Sequence, residues 1–225
     1  MKLNKILIGL ILIVIAIGAY FYFQSRKGNT VTENNQTNTT PAPTPTPPTT
    51  PPPTPTPLTT ENPKVPEKAV ATVQTSMGTF EVTLNGKAAP KTVANFIKLV
   101  NNKFYENLTF HRIVKQTGFH LIQGGDPKGD GTGGPGYNVP AEIGLKHTKG
   151  AIATARTGDE VNPTKASSGS QFYIVEEDIP FLDGNYTVFG YVTKGMDVVE
   201  KIGKVETSAG DRPVTPVIIK KITIK

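Results

Sequence analysis

The sequence predicts a mainly β domain, its short strands wrapped into a closed or nearly closed sheet that carries two helices. Three observations support this. Eight short apolar or alternating runs are separated by Gly, Pro and Asp, and only two stretches have helical periodicity. Near residue 68 the composition also changes, which sets the domain off from a tethering N-terminus.

Taken in order, Ala69 to Thr75 and Gly78 to Leu84 read as two strands joined at Ser76-Met77-Gly78. Pro90 then precedes Val93, Phe96, Ile97 and Val100, an apolar stripe at helical spacing, so a helix is expected from about Pro90 to Asn102. Short strands follow at Thr109 to Val114, Leu121 to Gln123, Ala151 to Ala155, Gln171 to Val175 and Val188 to Val192. Asp197 to Ile202 puts Val198, Val199 and Ile202 on one face of a second short helix, and Val217 to Ile224 closes the chain as a strand.

The N-terminal third reads differently. Lys2 and Lys5 precede Ile6 to Phe23, an uncharged run of 18 residues. As a helix it spans about 27 Å, close to the hydrocarbon thickness of a bilayer. Residues 1–27 are therefore expected to be a single-pass membrane anchor or a signal segment. The apolar run continues through Tyr20-Phe21-Tyr22-Phe23, which favours the uncleaved anchor. Twelve of the 20 prolines lie between Pro41 and Pro66, so residues 28–68 read as a Thr/Pro/Asn-rich disordered linker, with a polyproline spacer on its way to a domain over 69–225. The expected location is the cell membrane with the domain extracytoplasmic, or secreted if the signal is cleaved.

Composition narrows the chemistry. With no cysteine, disulfide frameworks, thiolate metal sites and thiol catalysis are excluded. From Lys68 onward 19 Lys/Arg face 15 Asp/Glu, too weak an excess to argue for nucleic acid. Gly131-Thr132-Gly133-Gly134-Pro135-Gly136 fits a dinucleotide-binding pattern, but Pro135 removes an amide and no helix follows, so it reads as a structural loop. His111, His120 and His147 match no metal-ligand spacing, and Ser167-Ser168-Gly169-Ser170 lacks a nucleophile elbow. No metal or cofactor is expected. More informative are Arg112, Gln123 and Gln171, polar groups set in apolar strand-like runs. They suit either an apolar pocket with a few fixed donors or an internally satisfied polar network.

Phe110-His111-Arg112, Gln123-Gly124-Gly125-Asp126-Pro127, Gly131-Thr132-Gly133-Gly134, Gly169-Ser170-Gln171-Phe172, and Leu182-Asp183-Gly184 followed by Val188-Phe189-Gly190 occur in the family order of the cyclophilins. From about Ala69 to Lys225 the chain resembles these peptidyl-prolyl isomerases, in what reads as a membrane-anchored prokaryotic form. The resemblance implies an eight-stranded antiparallel barrel capped by two α-helices. It also implies an isomerase acting on X–Pro bonds, with Arg112 as the catalytic arginine and Gln123 as the substrate-orienting glutamine. Substrate-groove positions fall on Phe119, Leu121, Ala155, Arg156, Gln171, Phe172, Tyr173, Phe181, Leu182 and Tyr186.

Several positions depart from the family pattern. Lys115-Gln116-Thr117-Gly118 looks like an extended loop, which leaves Phe119 or His120 as the pocket aromatic; the alternation of Phe119, Leu121 and Gln123 onto one face favours Phe119. Tyr173, Phe181 and Tyr186 replace a phenylalanine, a tryptophan and a histidine common in the family, so strong cyclosporin binding is not expected. The implied partners are proline-containing polypeptides, met by a monomer that assists the folding of exported proteins. The alternative is a chaperone-like module that binds proline segments with little turnover.

Overall fold

The computed structural model describes residues 65–225. The apolar segment 1–27 and nearly all of the 28–68 linker lie outside the described residues. Strands β1 (Lys68–Thr75) and β2 (Gly78–Asn85) form the first hairpin, followed by helix α1 (Pro90–Asn101). A second hairpin joins β3 (Phe110–Gln116) to β4 (Phe119–Gly124). After the short β5 (Asn138–Val139) come β6 (Ala151–Thr154), β7 (Ser167–Ser168) and β8 (Phe172–Val175). A 3-10 turn at Pro180–Leu182 leads to β9 (Val188–Lys194) and helix α2 (Met196–Gly203). The two-residue strands β10 (Thr207–Ser208) and β11 (Arg212–Pro213) precede the last strand, β12 (Ile219–Ile224).

Eight strands build one antiparallel sheet in the order β12-β1-β2-β9-β6-β8-β4-β3. The sheet curls until its edges approach, which makes it nearly closed rather than the complete barrel that the resemblance implies. The edges meet at one isolated bridge, Thr109 with Ile218, supported by Phe110 N–H donating to the Val217 carbonyl. The reason lies on the outer edge of β3, where Ile113 N–H donates to the Asp211 carbonyl at 2.7 Å. The β10–β11 hairpin thus covers the part of β3 that a closed ladder would have given to β12.

Alternation sorts the side chains onto two faces. Phe80, Val82 and Leu84 of β2, Ile122 of β4, Ile152 of β6, and Phe172 and Ile174 of β8 enter the inner core. Helix α1 adds Phe96 to it, with ring centroids 5.2 Å from Tyr105, 5.4 Å from Phe189 and 6.0 Å from Phe172. Val93, Phe96 and Val100 are buried as the apolar stripe requires, but the fourth buried apolar position is Leu99, with Ile97 only half-buried at the stripe's edge. No residue at the start of α1 caps it with its own side chain. Glu142 does so from 50 residues away: its carboxylate accepts from Lys91 N–H at 2.9 Å, and from Thr92 N–H at 2.8 Å and the Thr92 hydroxyl. An anion held there also complements the positive end of the helix dipole.

At the other end of the sheet, α2 rests against β2, β3 and β4, and its last residue, Gly203, has no room for a side chain because the Glu176 carboxylate lies over it. Burial, then the nearby Glu200 charge, raises the pKa of Glu176 from 4.5 to about 7. A raised carboxyl pKa contributes stability that is fully present below the unfolded value and is lost as pH rises through the folded one. Glu176→Gln should therefore be more stable than the parent near about pH 8, with the difference vanishing as pH falls toward about 4.5. Urea denaturation of the two chains across that range checks it.

Candidate active site

The site lies on the outer face of the curled sheet. Val114, Leu121, Ala151, Ala153, Tyr173, Val175 and Val188 point outward and, together with Ile179 and Leu182 from the following loop, form a second buried cluster. The central strands are thus buried on both sides, which explains the near-continuous apolar runs of β6 and β8. Phe119, Ala155 and Tyr186 pack at the border of this cluster.

Arg112 reaches this face because of a β-bulge. Phe110 and Ile113 both enter the inner core although they are three residues apart, a spacing that a regular strand would send to opposite faces. The mismatch is absorbed at His111: Phe110 pairs with Gly124 and Arg112 with the adjacent Gln123. An extra residue of this kind re-aims the strand beyond it. Arg112 and Val114 therefore share the outer face, and Arg112 stands directly across from Gln123. Its guanidinium Nε donates to Asp211 Oδ2 at 3.3 Å, and its side chain keeps 43% exposure. His111, the residue at the bulge, is buried with neither ring nitrogen hydrogen-bonded, and burial lowers its pKa.

The two glutamines form a relay with a fixed direction. Gln171 Nε2 donates to the carbonyls of Gly131 at 3.0 Å and Gly133 at 2.8 Å. Its oxygen must then face the other way, where it accepts from Gln123 Nε2 at 3.0 Å. The carbonyl oxygen of Gln123 is left available beside Arg112, along with the second N–H of its amide. The Gly-rich loop that anchors the relay is itself built on Asp126. This buried carboxylate accepts from the amides of Lys128, Asp130 and Gly131 at 2.8, 3.1 and 2.6 Å. Burial alone would raise the Asp126 pKa, but these bonds and that of Gly133 N–H outweigh it, and the pKa falls below its ordinary value. Gly133 has to be glycine, since a Cβ there would collide with Asp126 Oδ1.

The pocket residues divide by face. Phe119 joins the outer cluster and its ring lies 5.6 Å from that of Phe181, a residue 60% exposed at the rim. His120 alternates to the opposite side of β4 with Ile122, so of the two Phe119 is the ring on the outer face. The expected loop at Lys115 to Gly118 is not a loop. The strands continue to Gln116 and Phe119 and turn through Thr117-Gly118, with Gly118 at φ 74°. Phe172 does not reach the groove: it is buried in the inner core against Phe96, Tyr105 and Phe110, and Tyr173 takes the outward position. Leu121, Tyr173 and Leu182 are buried in the pocket cluster. The Arg156 guanidinium is consumed locally. It donates to the Asn185 carbonyl at 2.7 Å, pairs with Asp159 and lies 4.7 Å from the Tyr186 ring centroid, while the neighbouring Ala155 N–H donates to the Gln171 carbonyl at 2.9 Å and its carbonyl accepts from Ser168 N–H at 2.8 Å. A cavity of about 380 Å³, lined among others by Gln123, Ala155 and Gln171, extends the groove beyond the relay.

Tyr173 brings a hydroxyl into an apolar pocket, and His147 satisfies it. The buried His147 ring lies between Asp183 Oδ1, 2.9 Å from Nδ1, and the Tyr173 hydroxyl, 2.9 Å from Nε2. A carboxylate only accepts, so Nδ1 carries the proton and Nε2 accepts from Tyr173. Burial lowers the His147 pKa against the raising effect of Asp183, and the neutral ring suits this chain of bonds. Tyr173→Phe would leave a buried acceptor without its donor and should cost about 1–3 kcal/mol, read by chemical denaturation.

The comparisons with known proteins agree with this geometry. A family model described as cyclophilin type peptidyl-prolyl cis-trans isomerase matches residues 70–224. The chain is 44% identical over 158 residues to peptidyl-prolyl cis-trans isomerase-like 1 of Neurospora crassa, covering 68% of this chain and 91% of the relative. It is 41% identical to the isomerase CYP18-2 of Arabidopsis thaliana, covering 68% and 92%. Among solved structures, a cyclophilin-type isomerase of Cryptosporidium parvum superposes with a TM-score of 0.65 at 31% identity, covering 70% of this chain and 98% of that one. A second structure of that protein, obtained in the presence of the dipeptide Ala-Pro, gives 0.63 at 31% identity, covering 69% and 98%. These relatives are eukaryotic and give no support to the expected prokaryotic, membrane-anchored form. Among the described residues no helix is long and apolar enough to cross a membrane. The chain belongs to the cyclophilin-type peptidyl-prolyl cis-trans isomerases and is an enzyme of that class.

Proposed function

We propose that this isomerase acts on X–Pro bonds by holding the twisted imide against Arg112, and that its clients are exported or surface polypeptides met outside the membrane. The observation that carries the catalytic part is the placement of one half-exposed guanidinium across from Gln123, on the rim of an apolar pocket made by Phe119, Leu121, Tyr173 and Leu182. Rotation about an X–Pro bond is slow because it breaks amide resonance. In the twisted state the prolyl nitrogen regains a lone pair. A donor fixed near it stabilises that state more than the planar one, and this difference is what accelerates the reaction. No nucleophile or proton shuttle is needed.

The other groups fit supporting roles in this reading. The apolar pocket takes the pyrrolidine ring, and the backbone of Arg156, next to the internally bonded Ala155, and the Gln123 amide hold the chain on either side of it. The Cryptosporidium parvum cyclophilin was solved in the presence of Ala-Pro, which supports an X–Pro unit as the ligand here. Arg112→Ala in the fragment 65–225 should lower kcat/KM on a proline tetrapeptide about 10²-fold, the scale seen when a transition-state donor is removed. The fragment is a fair test because residues 65–225 contain the whole sheet and both buried clusters. An unchanged rate would overturn the assignment.

The cellular part of the proposal rests on sequence alone. Lys2 and Lys5 before the 18-residue apolar run, and the proline-rich linker behind it, suit a domain held away from a membrane. Protease added to intact cells should remove the isomerase domain while leaving internal proteins whole; protection of the domain would contradict an extracytoplasmic position.

A further inference from the structure

We infer that Asp211 is a positioning residue for Arg112, fixing the guanidinium in the plane from which it donates. This deepens the reading of Arg112 as the donor to the prolyl nitrogen and rests on it. Asp211 ends the turn between β10 and β11, and it grips two consecutive residues of β3 at once. Its carbonyl accepts from Ile113 N–H at 2.7 Å, and its carboxylate accepts from Arg112 Nε at 3.3 Å. The first bond fixes the hairpin against the strand edge, so the second meets Arg112 from a rigid backbone.

The backbone of Asp211 is unusual. Its φ is 62°, directly after Gly210 at 77°, so two successive residues are left-handed. Glycine and asparagine adopt that conformation as readily as aspartate. The turn therefore requires no carboxylate, and among the described residues the side-chain hydrogen bond that this carboxylate makes is the one with Arg112.

The bond also leaves the working atoms free. Guanidinium has five N–H groups, and Asp211 takes the one on Nε, at the base of the fork. The four on the two Nη atoms remain for the pocket side, where the Gln123 oxygen freed by the Gln171 relay can accept one. A guanidinium held at Nε by a carboxylate has lost part of its freedom to rotate before substrate arrives. Such preorganisation is worth rate rather than affinity.

The test is a double-mutant cycle on the full chain, comparing the parent, Asp211→Asn, Arg112→Ala and the double variant, with kcat and KM measured at low and high salt. Asn keeps the turn and the side-chain shape and removes the charge. Asp211→Asn should lower kcat about three- to fivefold, the upper end for a partly exposed ion pair, with KM and melting temperature unmoved. High salt should slow the parent toward the variant and leave the variant unaffected. In the Arg112→Ala background Asp211→Asn should change nothing. A slow Arg112→Ala beside an unimpaired or faster Asp211→Asn overturns the positioning role alone, as does an equal loss in both backgrounds. An Arg112→Ala chain at the parental rate overturns the catalytic reading itself.

Discussion

A sheet buried on both faces has to use alternate residues of its central strands for two different purposes, and the rest of this structure follows from that. Phe172 and Ile174 fill the inner core while Tyr173 and Val175, one step along the same strand, build the outer pocket. Ile122 and Leu121 divide in the same way. A one-residue slip in β4 or β8 would exchange core for site. The bulge at His111 breaks that alternation in β3, and it is what turns Arg112 outward while Phe110 stays inside.

Polar groups in such a site have to be fixed without being used up. The structure does this through chains of bonds that end on groups unable to reverse. Two backbone carbonyls set the direction of Gln171, which sets that of Gln123. A carboxylate sets the tautomer of His147, which then accepts from Tyr173. Asp126 organises the loop that supplies the carbonyls. In each case the terminal group is a backbone carbonyl or a carboxylate, which can only accept, so the direction of the chain is set. Arg156 shows the contrary use: its guanidinium is engaged through Nε and Nη1 with Asn185, Thr157 and Asp159 and lies over the Tyr186 ring.

The strands, both helices and the pairing of Arg112 with Gln123 across neighbouring strands left local signals. Alternation marked β1, β2 and β4, the stripe from Val93 to Val100 marked α1, and Arg112 stood out as a charge in an apolar run. Alternation likewise selected Phe119 over His120. Contacts between distant residues were not legible. Asp211 lies 99 residues from Arg112, and Glu142 lies 50 from the helix start that it caps, with no spacing to link either pair. The displacement of Phe172 into the core could have been found from the same period-2 rule, since Gln171, Phe172 and Tyr173 cannot all face one groove. The bulge had a signal as well, in the odd spacing of the apolar residues Phe110 and Ile113, which becomes readable only once both are known to be inside.

The central claim is that Arg112 stabilises the twisted bond rather than the bound peptide. NMR exchange spectroscopy on an Ala-Pro peptide saturated with protein separates the two, because it reads cis/trans exchange on the protein apart from affinity. With Arg112→Ala the on-protein exchange rate should fall about 10²-fold while the peptide Kd stays within about twofold of the parent. Exchange that continues at the parental rate once the variant is saturated, with the loss confined to affinity, would contradict the account.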